Sequence, residues 1–189
     1  MPDQRPILIV SGTNRPQSNA LRVAAVLRAN YERLGVAHET LSLADLPREV
    51  FDGSAYANKP GGMVAIQRRV LDALGLHVVT PEYNGSFPGV LKYFIDMLKF
   101  PESFEHKPVA FVGEAAGTWG GLRSVEQLQL IFGYRNAHIL PDRVFIPGVA
   151  TKFDATGKLT DAAIEDRLAK QCDRFARFAT HLSAAAVLS

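Results

Sequence analysis

The chain has one cysteine, Cys172, so neither an internal disulfide nor a cysteine-ligated cluster can form within a single copy. It lacks any apolar run approaching ~18 residues. The leading MPDQRP passes directly into a short apolar strand, too short for a signal peptide, and a cytoplasmic location without membrane contact is expected. Charge of one sign is also missing. Lys+Arg number 21 against 19 Asp+Glu, a net +2 that gives no nucleic-acid footprint. Basic residues such as Arg68 and Arg69 read as a solvated helix face. The dinucleotide fingerprint G-x-G-x-x-G, the phosphate loop of nucleotide triphosphatases and the G-x-S-x-G elbow are all absent. The five histidines have no metal-ligand spacing, and no metal is expected. No acidic residue ends the first or third strand, which argues against a receiver-type Mg²⁺ site. His77, at the start of the third strand, reads as an edge or surface residue, and Cys172 as a buried, inert thiol.

What is present is a regular alternation of strand and helix. The 189 residues, 47% hydrophobic, suit one domain spanning residues 1–189. Ile7 to Val10 is a continuous apolar run, as expected of a parallel strand buried on both faces. Ala20, Ala24, Leu27, Tyr31 and Leu34 follow at helical spacing, and Gly35 ends that helix. Ala37 to Leu43 predicts a second strand, and 44–62 a long irregular stretch. Met63 to Ala73 predicts a helix, Leu76 to Thr80 a third strand, Val90 to Phe100 a helix, and Val109 to Val112 a fourth strand. A helix carries Leu122, Val125, Leu128 and Phe132. A fifth strand runs through His138 to Leu140 and Val144 to Ile146, with an interruption at Pro141. A long terminal helix carries Ile164, Leu168, Cys172 and Phe175, with Asp161 at its start. Five strands alternating with five helices imply right-handed crossovers and a doubly wound α/β parallel sheet. Ligands of such sheets sit outside the carboxyl ends of the strands.

Three loops fall at that edge. The first, SGTNRPQSN, crowds Thr13, Asn14, Arg15 and Ser18 before a helix N-terminus. Ser18 alone is explained as a helix cap. The cluster as a whole fits a phosphate monoester, which needs N–H groups, hydroxyls and a positive charge. The second, PEYNGSFPG, reads as a turn plus helix start at Asn84-Gly85 and Pro88; it also puts Tyr83 and Asn84 where a planar ring could lie, with Gly85 permitting close backbone approach. The third, GEAAGTWGG, fits a backbone that hugs a heterocycle, or else a flexible connector; Trp119 is open between packing and stacking.

Together these loops resemble the NADPH-dependent FMN reductases and the related quinone, azo-dye and chromate reductases. Gly12, Thr13, Arg15 and Ser18 match the pattern G-[ST]-x-R-x-x-S. Pro81 through Lys92 match P-E-Y-N-x-S-x-P-G-x-L-K, and Gly117, Gly120 and Gly121 match G-x-x-G-G. The chain departs at Ala115 and Ala116, where many relatives carry serine, and at Tyr93-Phe94, where Asn-Ala is frequent. The resemblance implies a flavodoxin-like five-stranded sheet of order 2-1-3-4-5 and FMN as cofactor, with NADPH or NADH as electron donor. Thr13, Arg15, Ser18 and Asn19 or Ala20 would surround the FMN phosphate. Pro81, Glu82, Tyr83, Asn84 and Gly85 would border the isoalloxazine, and Ala115 and Gly117 its pyrimidine edge. The implied activity passes electrons to a small acceptor by ping-pong hydride transfer through the flavin, in a homodimer or homotetramer, with no side chain as acid or base. A flavodoxin-like electron carrier and a non-enzymatic FMN-binding module are the alternatives; the +2 charge disfavours the carrier, whose surface is usually strongly acidic.

Overall fold

The computed structural model describes residues 4–186; residues 1–3 and 187–189 lie outside it. Five parallel strands, β1 (Ile7–Ser11), β2 (His38–Ser42), β3 (Gly75–Pro81), β4 (Pro108–Ala115) and β5 (His138–Pro147), form one sheet of order β2-β1-β3-β4-β5. That order is flavodoxin-like, and its switch point lies between β1 and β3. Helices α1 (Asn19–Leu34) and α5 (Ala162–Ala186) cover one face. Helices α2 (Gly61–Asp72), α3 (Gly89–Met97) and α4 (Leu122–Tyr134) cover the other. Alternation along each strand divides the core: Leu8, Val10, Val78 and Phe111 pack under α2–α4, whereas Ile9, Val79, Ala110 and Val112 pack under α1 and α5.

Several boundaries differ from those expected. The irregular stretch after β2 is built of three 3-10 turns, Leu43–Asp45, Arg48–Phe51 and Gly53–Tyr56. Phe51 of the second turn meets Tyr93 of α3 edge-on, 5.0 Å between ring centroids. Helix α3 stops at Met97, short of Phe100. Strand β4 continues through Gly113, Glu114 and Ala115, residues whose small or charged side chains read as loop, because β3 pairs with it as far as Glu114 and β5 as far as Ala115. The interruption near Pro141 is real: the β4–β5 register shifts between Val109 and Phe111, which pair with Ile139 and Arg143.

His77 is a correction. It is fully buried in the middle of β3, paired with Ile9 and Ala110 in the neighbouring strands. Its burial is possible because both ring nitrogens are bonded, Nδ1 to the Tyr31 hydroxyl at 2.7 Å and Nε2 to Gln171 Oε1 at 3.1 Å. Gln171 Nε2 donates to the carbonyls of Phe111 and Asp142, at 3.1 and 2.9 Å, which fixes Oε1 as the acceptor. His77 is therefore the Nε2–H tautomer and accepts from Tyr31. Burial pushes its pKa down to about 4. Cys172, in the same layer, is buried with its thiol pushed up to about 12, which matches the inert reading.

Candidate functional site

The carboxyl ends of β1, β3 and β4 bring the three loops to one edge. The first loop turns back so that Ser18 caps α1, its Oγ accepting from Leu21 N–H at 3.3 Å. The N–H groups of Asn19 and Ala20, the first two of the helix, make no hydrogen bond among the described residues, as expected at a helix start. The Ala20 side chain is itself buried in the core, so only its backbone faces the loop. Thr13 is buried and Arg15 exposed. The Thr13 hydroxyl oxygen accepts the Arg15 N–H at 3.2 Å. Ser11 Oγ, at the end of β1, is buried and has no hydrogen-bond partner among the described residues.

The second loop is a tight turn. Tyr83 and Ser86 exchange backbone hydrogen bonds of 2.8 and 3.0 Å, and Asn84 and Gly85 between them have φ of 53° and 75°. Positive φ at both central positions is the type I′ signature, for which Asn-Gly is the preferred pair. The Tyr83 hydroxyl lies 3.2 Å from Thr13 Oγ1, so the first and second loops touch. Glu82 points elsewhere: its carboxylate accepts from the Arg123 side chain at 3.0 Å and from the Arg123 backbone N–H at 3.3 Å.

In the third loop most of the glycines have a different purpose from the one expected. A β-carbon on Gly121 would stand 2.5 Å from Glu114 N, and one on Gly120 2.8 Å from Ile146 N. These residues let the chain fold back against β4 and β5. Gly117 alone of the loop's glycines has nothing within 4 Å of such a carbon and faces open space. Ala115, half-buried, ends β4 beside the loop. Trp119 is 59% exposed with the Arg123 guanidinium 5.9 Å from its ring, so it is not a core residue.

Sequence reasoning missed Glu114, because a lone glutamate in a glycine-rich segment carries no periodic signal. Strand alternation puts it on the Ala110–Val112 face, the face that Ser11 shares with Ile7 and Ile9. It is only 5% exposed. Burial pushes its pKa up to about 7, opposed by the positive charge of Arg15. Because the folded value is the higher one, this group's contribution to stability is whole below pH 4.5 and is lost as pH rises to about 7. Glu114→Gln in the ligand-free protein is expected to abolish that decline, on the order of 2–3 kcal/mol. Urea titrations of both proteins at pH 5 and pH 8 measure it; equal pH dependence in the two would contradict it.

Whether the edge fits FMN rests on what it offers. A buried hydroxyl without a partner, a buried threonine, an arginine and two unpaired helix N–H groups suit a phosphate. An aromatic residue beside a tight turn and an open glycine suit a planar ring. Among the described residues no cluster of three or more metal-ligating side chains occurs, and no helix is long and apolar enough to cross a membrane.

Known proteins resemble this chain in sequence and in fold. The profile of the NADPH-dependent FMN reductase family matches residues 6–151. A quinone reductase of Escherichia coli K12 is 33% identical over 141 residues, covering 72% of this chain and 75% of that protein. An NAD(P)H-dependent FMN reductase of Pseudomonas aeruginosa is 30% identical over 176 residues, covering 90% and 93%. In fold, a flavoenzyme NAD(P)H:(acceptor) oxidoreductase of Paracoccus denitrificans superposes with a TM-score of 0.78 at 23% identity, over 93% of this chain and 97% of that one. The chain thus belongs to the NADPH-dependent FMN reductase family and is an oxidoreductase that works with FMN and NAD(P)H.

Proposed function

We propose that the three loops hold FMN and that the protein passes electrons from NADPH or NADH to a small acceptor such as a quinone, free flavin, azo compound or metal oxyanion. The observation that carries this reading is the 3.2 Å contact between Thr13 Oγ1 and the Tyr83 hydroxyl. It joins a loop suited to a phosphate to a loop suited to a ring, at the edge where a doubly wound sheet binds its ligands. Thr13, Ser18 and Arg15, with the N–H groups of Asn19 and Ala20, would hold the phosphate. Pro81 to Gly85 would border the ring, and Ala115 and Gly117 its pyrimidine edge.

Bound FMN supplies the hydride chemistry. The protein residues bind and orient. The buried Thr13 fixes the first loop against the second, and Arg15 supplies the positive charge. No side chain is assigned as a general acid or base. NAD(P)H and the acceptor would use one open side in turn, which makes the kinetics ping-pong. The E. coli relative's name, quinone reductase, supports a quinone as the first acceptor to try. Steady-state rates varied in both NADPH and a benzoquinone test this order: parallel double-reciprocal lines are expected, and intersecting lines would overturn it.

A charge-assisted hydrogen bond contributes ~1.5–3 kcal/mol. Arg15→Ala is accordingly expected to weaken FMN roughly ten- to hundredfold while leaving riboflavin nearly unchanged. Fluorescence titration with the two ligands distinguishes this from a general defect, since an equal loss for riboflavin would take Arg15 off the phosphate.

The working form is a homodimer or homotetramer in the cytoplasm. Of the aromatics expected to support association, Phe94 is buried within the chain. Tyr93, 38% exposed, and Trp119 remain on the surface with Leu130 and Tyr134 of α4. Light scattering at micromolar concentration should give at least twice the chain mass, and a monomer there would contradict the assembly.

A further inference from the structure

Helix α4 presents three residues of its first two turns to the second loop, and each holds it at a different point. Arg123 pairs with the Glu82 carboxylate at 3.0 Å. The Ser124 hydroxyl donates to the Pro81 carbonyl at 2.7 Å. Gln127 engages the turn itself: its Nε2 donates to the Gly85 carbonyl at 3.1 Å, and its Oε1 accepts the Ser86 hydroxyl at 2.6 Å. One amide thus grips two successive residues with its donor and its acceptor. The turn it grips has Asn84, a residue with a β-carbon, in the left-handed region. Asn-Gly accepts that conformation readily, so what the grip adds is the position of the turn against α4. The grip leaves the N–H groups of Asn84 and Gly85, at the apex, without hydrogen bonds among the described residues. They are the donors the turn has to offer a ligand.

We infer that Gln127 is a positioning residue for electron transfer, holding the Asn84–Gly85 turn in the position that presents its free N–H groups to the bound ring. The inference rests on the reading that this loop borders FMN. Gln127 does not touch the ligand in this account; it acts through the peptide it fixes. Its loss should therefore separate two quantities. FMN affinity, carried largely by the phosphate loop, should change little, whereas transfer of electrons into the ring should slow because its edge is no longer met by fixed dipoles.

The test compares wild type, Gln127→Leu, Ser86→Ala and the double variant, each reconstituted with FMN. Three measurements are made: the FMN dissociation constant, the visible absorption band of bound flavin, and its reduction by NADPH in anaerobic stopped flow. Gln127→Leu is expected to keep FMN within about threefold of wild type, to shift the band, and to be reduced about tenfold more slowly. Ser86→Ala should show a smaller slowing in the same direction. The double variant should be no slower than Gln127→Leu, because both remove one shared interaction. If Gln127→Leu does not fold, the milder Ser86→Ala carries the same prediction. Reduction as fast as wild type in FMN-loaded variants would overturn the inference. So would a parallel fall of rate, FMN affinity and melting temperature, since that is what a merely structural role produces. Wild type that takes up no FMN would instead overturn the reading beneath it.

Discussion

Gly121→Ala is expected to weaken FMN binding about a hundredfold, ~2.7 kcal/mol, and to lower the melting temperature by several degrees. The added β-carbon would stand 2.5 Å from Glu114 N and 2.7 Å from the Gly113 carbonyl carbon, and the residue has φ of 89°. Left-handed backbone alone costs a residue with a β-carbon about 1–3 kcal/mol. The clash is with backbone of a buried strand, which has no rotamer to yield, so the loop must lift from β4. In the proposed site that loop borders the pyrimidine edge of the ring. Gly117→Ala is the control, since its β-carbon would meet nothing within 4 Å; the melting temperature should stay at the wild-type value. Calorimetry of the two variants, and flavin titration of Gly121→Ala against wild type, measure the contrast. Equal behaviour would mean that the loop's packing on β4 does not shape the site.

Gln171→Leu should cost more stability than any surface change, ~3–5 kcal/mol, or roughly 10 °C for a chain of this size. Leucine fills the space but leaves the buried His77 Nε2–H without its partner and takes a donor from the carbonyls of Phe111 and Asp142. Those carbonyls belong to β4 and β5 at the place where their register shifts, so Gln171 also fastens an interrupted ladder. The comparison is best made at pH 7. His77 has a folded pKa of about 4 against 6.5 when free, so its contribution is whole above 6.5 and is lost as pH falls toward 4. Thermal melts at pH 7 that differ by less than a few degrees would show the three groups to be rehydrated at little cost.

How far the sequence carried depended on what each segment had to bury. Strands β1 and β3 are buried on both faces, so continuous apolar runs such as Ile7 to Val10 were legible, and with them the sheet. The turn at Asn84-Gly85 was legible because few residue pairs accept two positive φ values. The end of β4 was not, since Gly113, Glu114 and Ala115 are in strand only because β3 and β5 pair with them. His77 was misread for a related reason. A polar residue in a central strand needs partners from α1 and α5, and Tyr31 and Gln171 lie 46 and 94 positions away. The glycines of the third loop were seen but assigned to a ligand, whereas Gly120 and Gly121 answer to neighbouring backbone. Arg123, Ser124 and Gln127 carry no signal in the sequence, because their partners in the second loop lie 41 to 43 positions away.

The central claim, that this edge holds an FMN which accepts electrons from a reduced nicotinamide, is tested most directly by rapid anaerobic mixing. Protein loaded with FMN and freed of excess is mixed with NADPH, and separately with NADH, and the flavin absorbance is followed. The account predicts that the oxidised flavin band bleaches within seconds with at least one of the two and without any added reductase. A band that stays oxidised with both, in protein that demonstrably retains FMN, would contradict it.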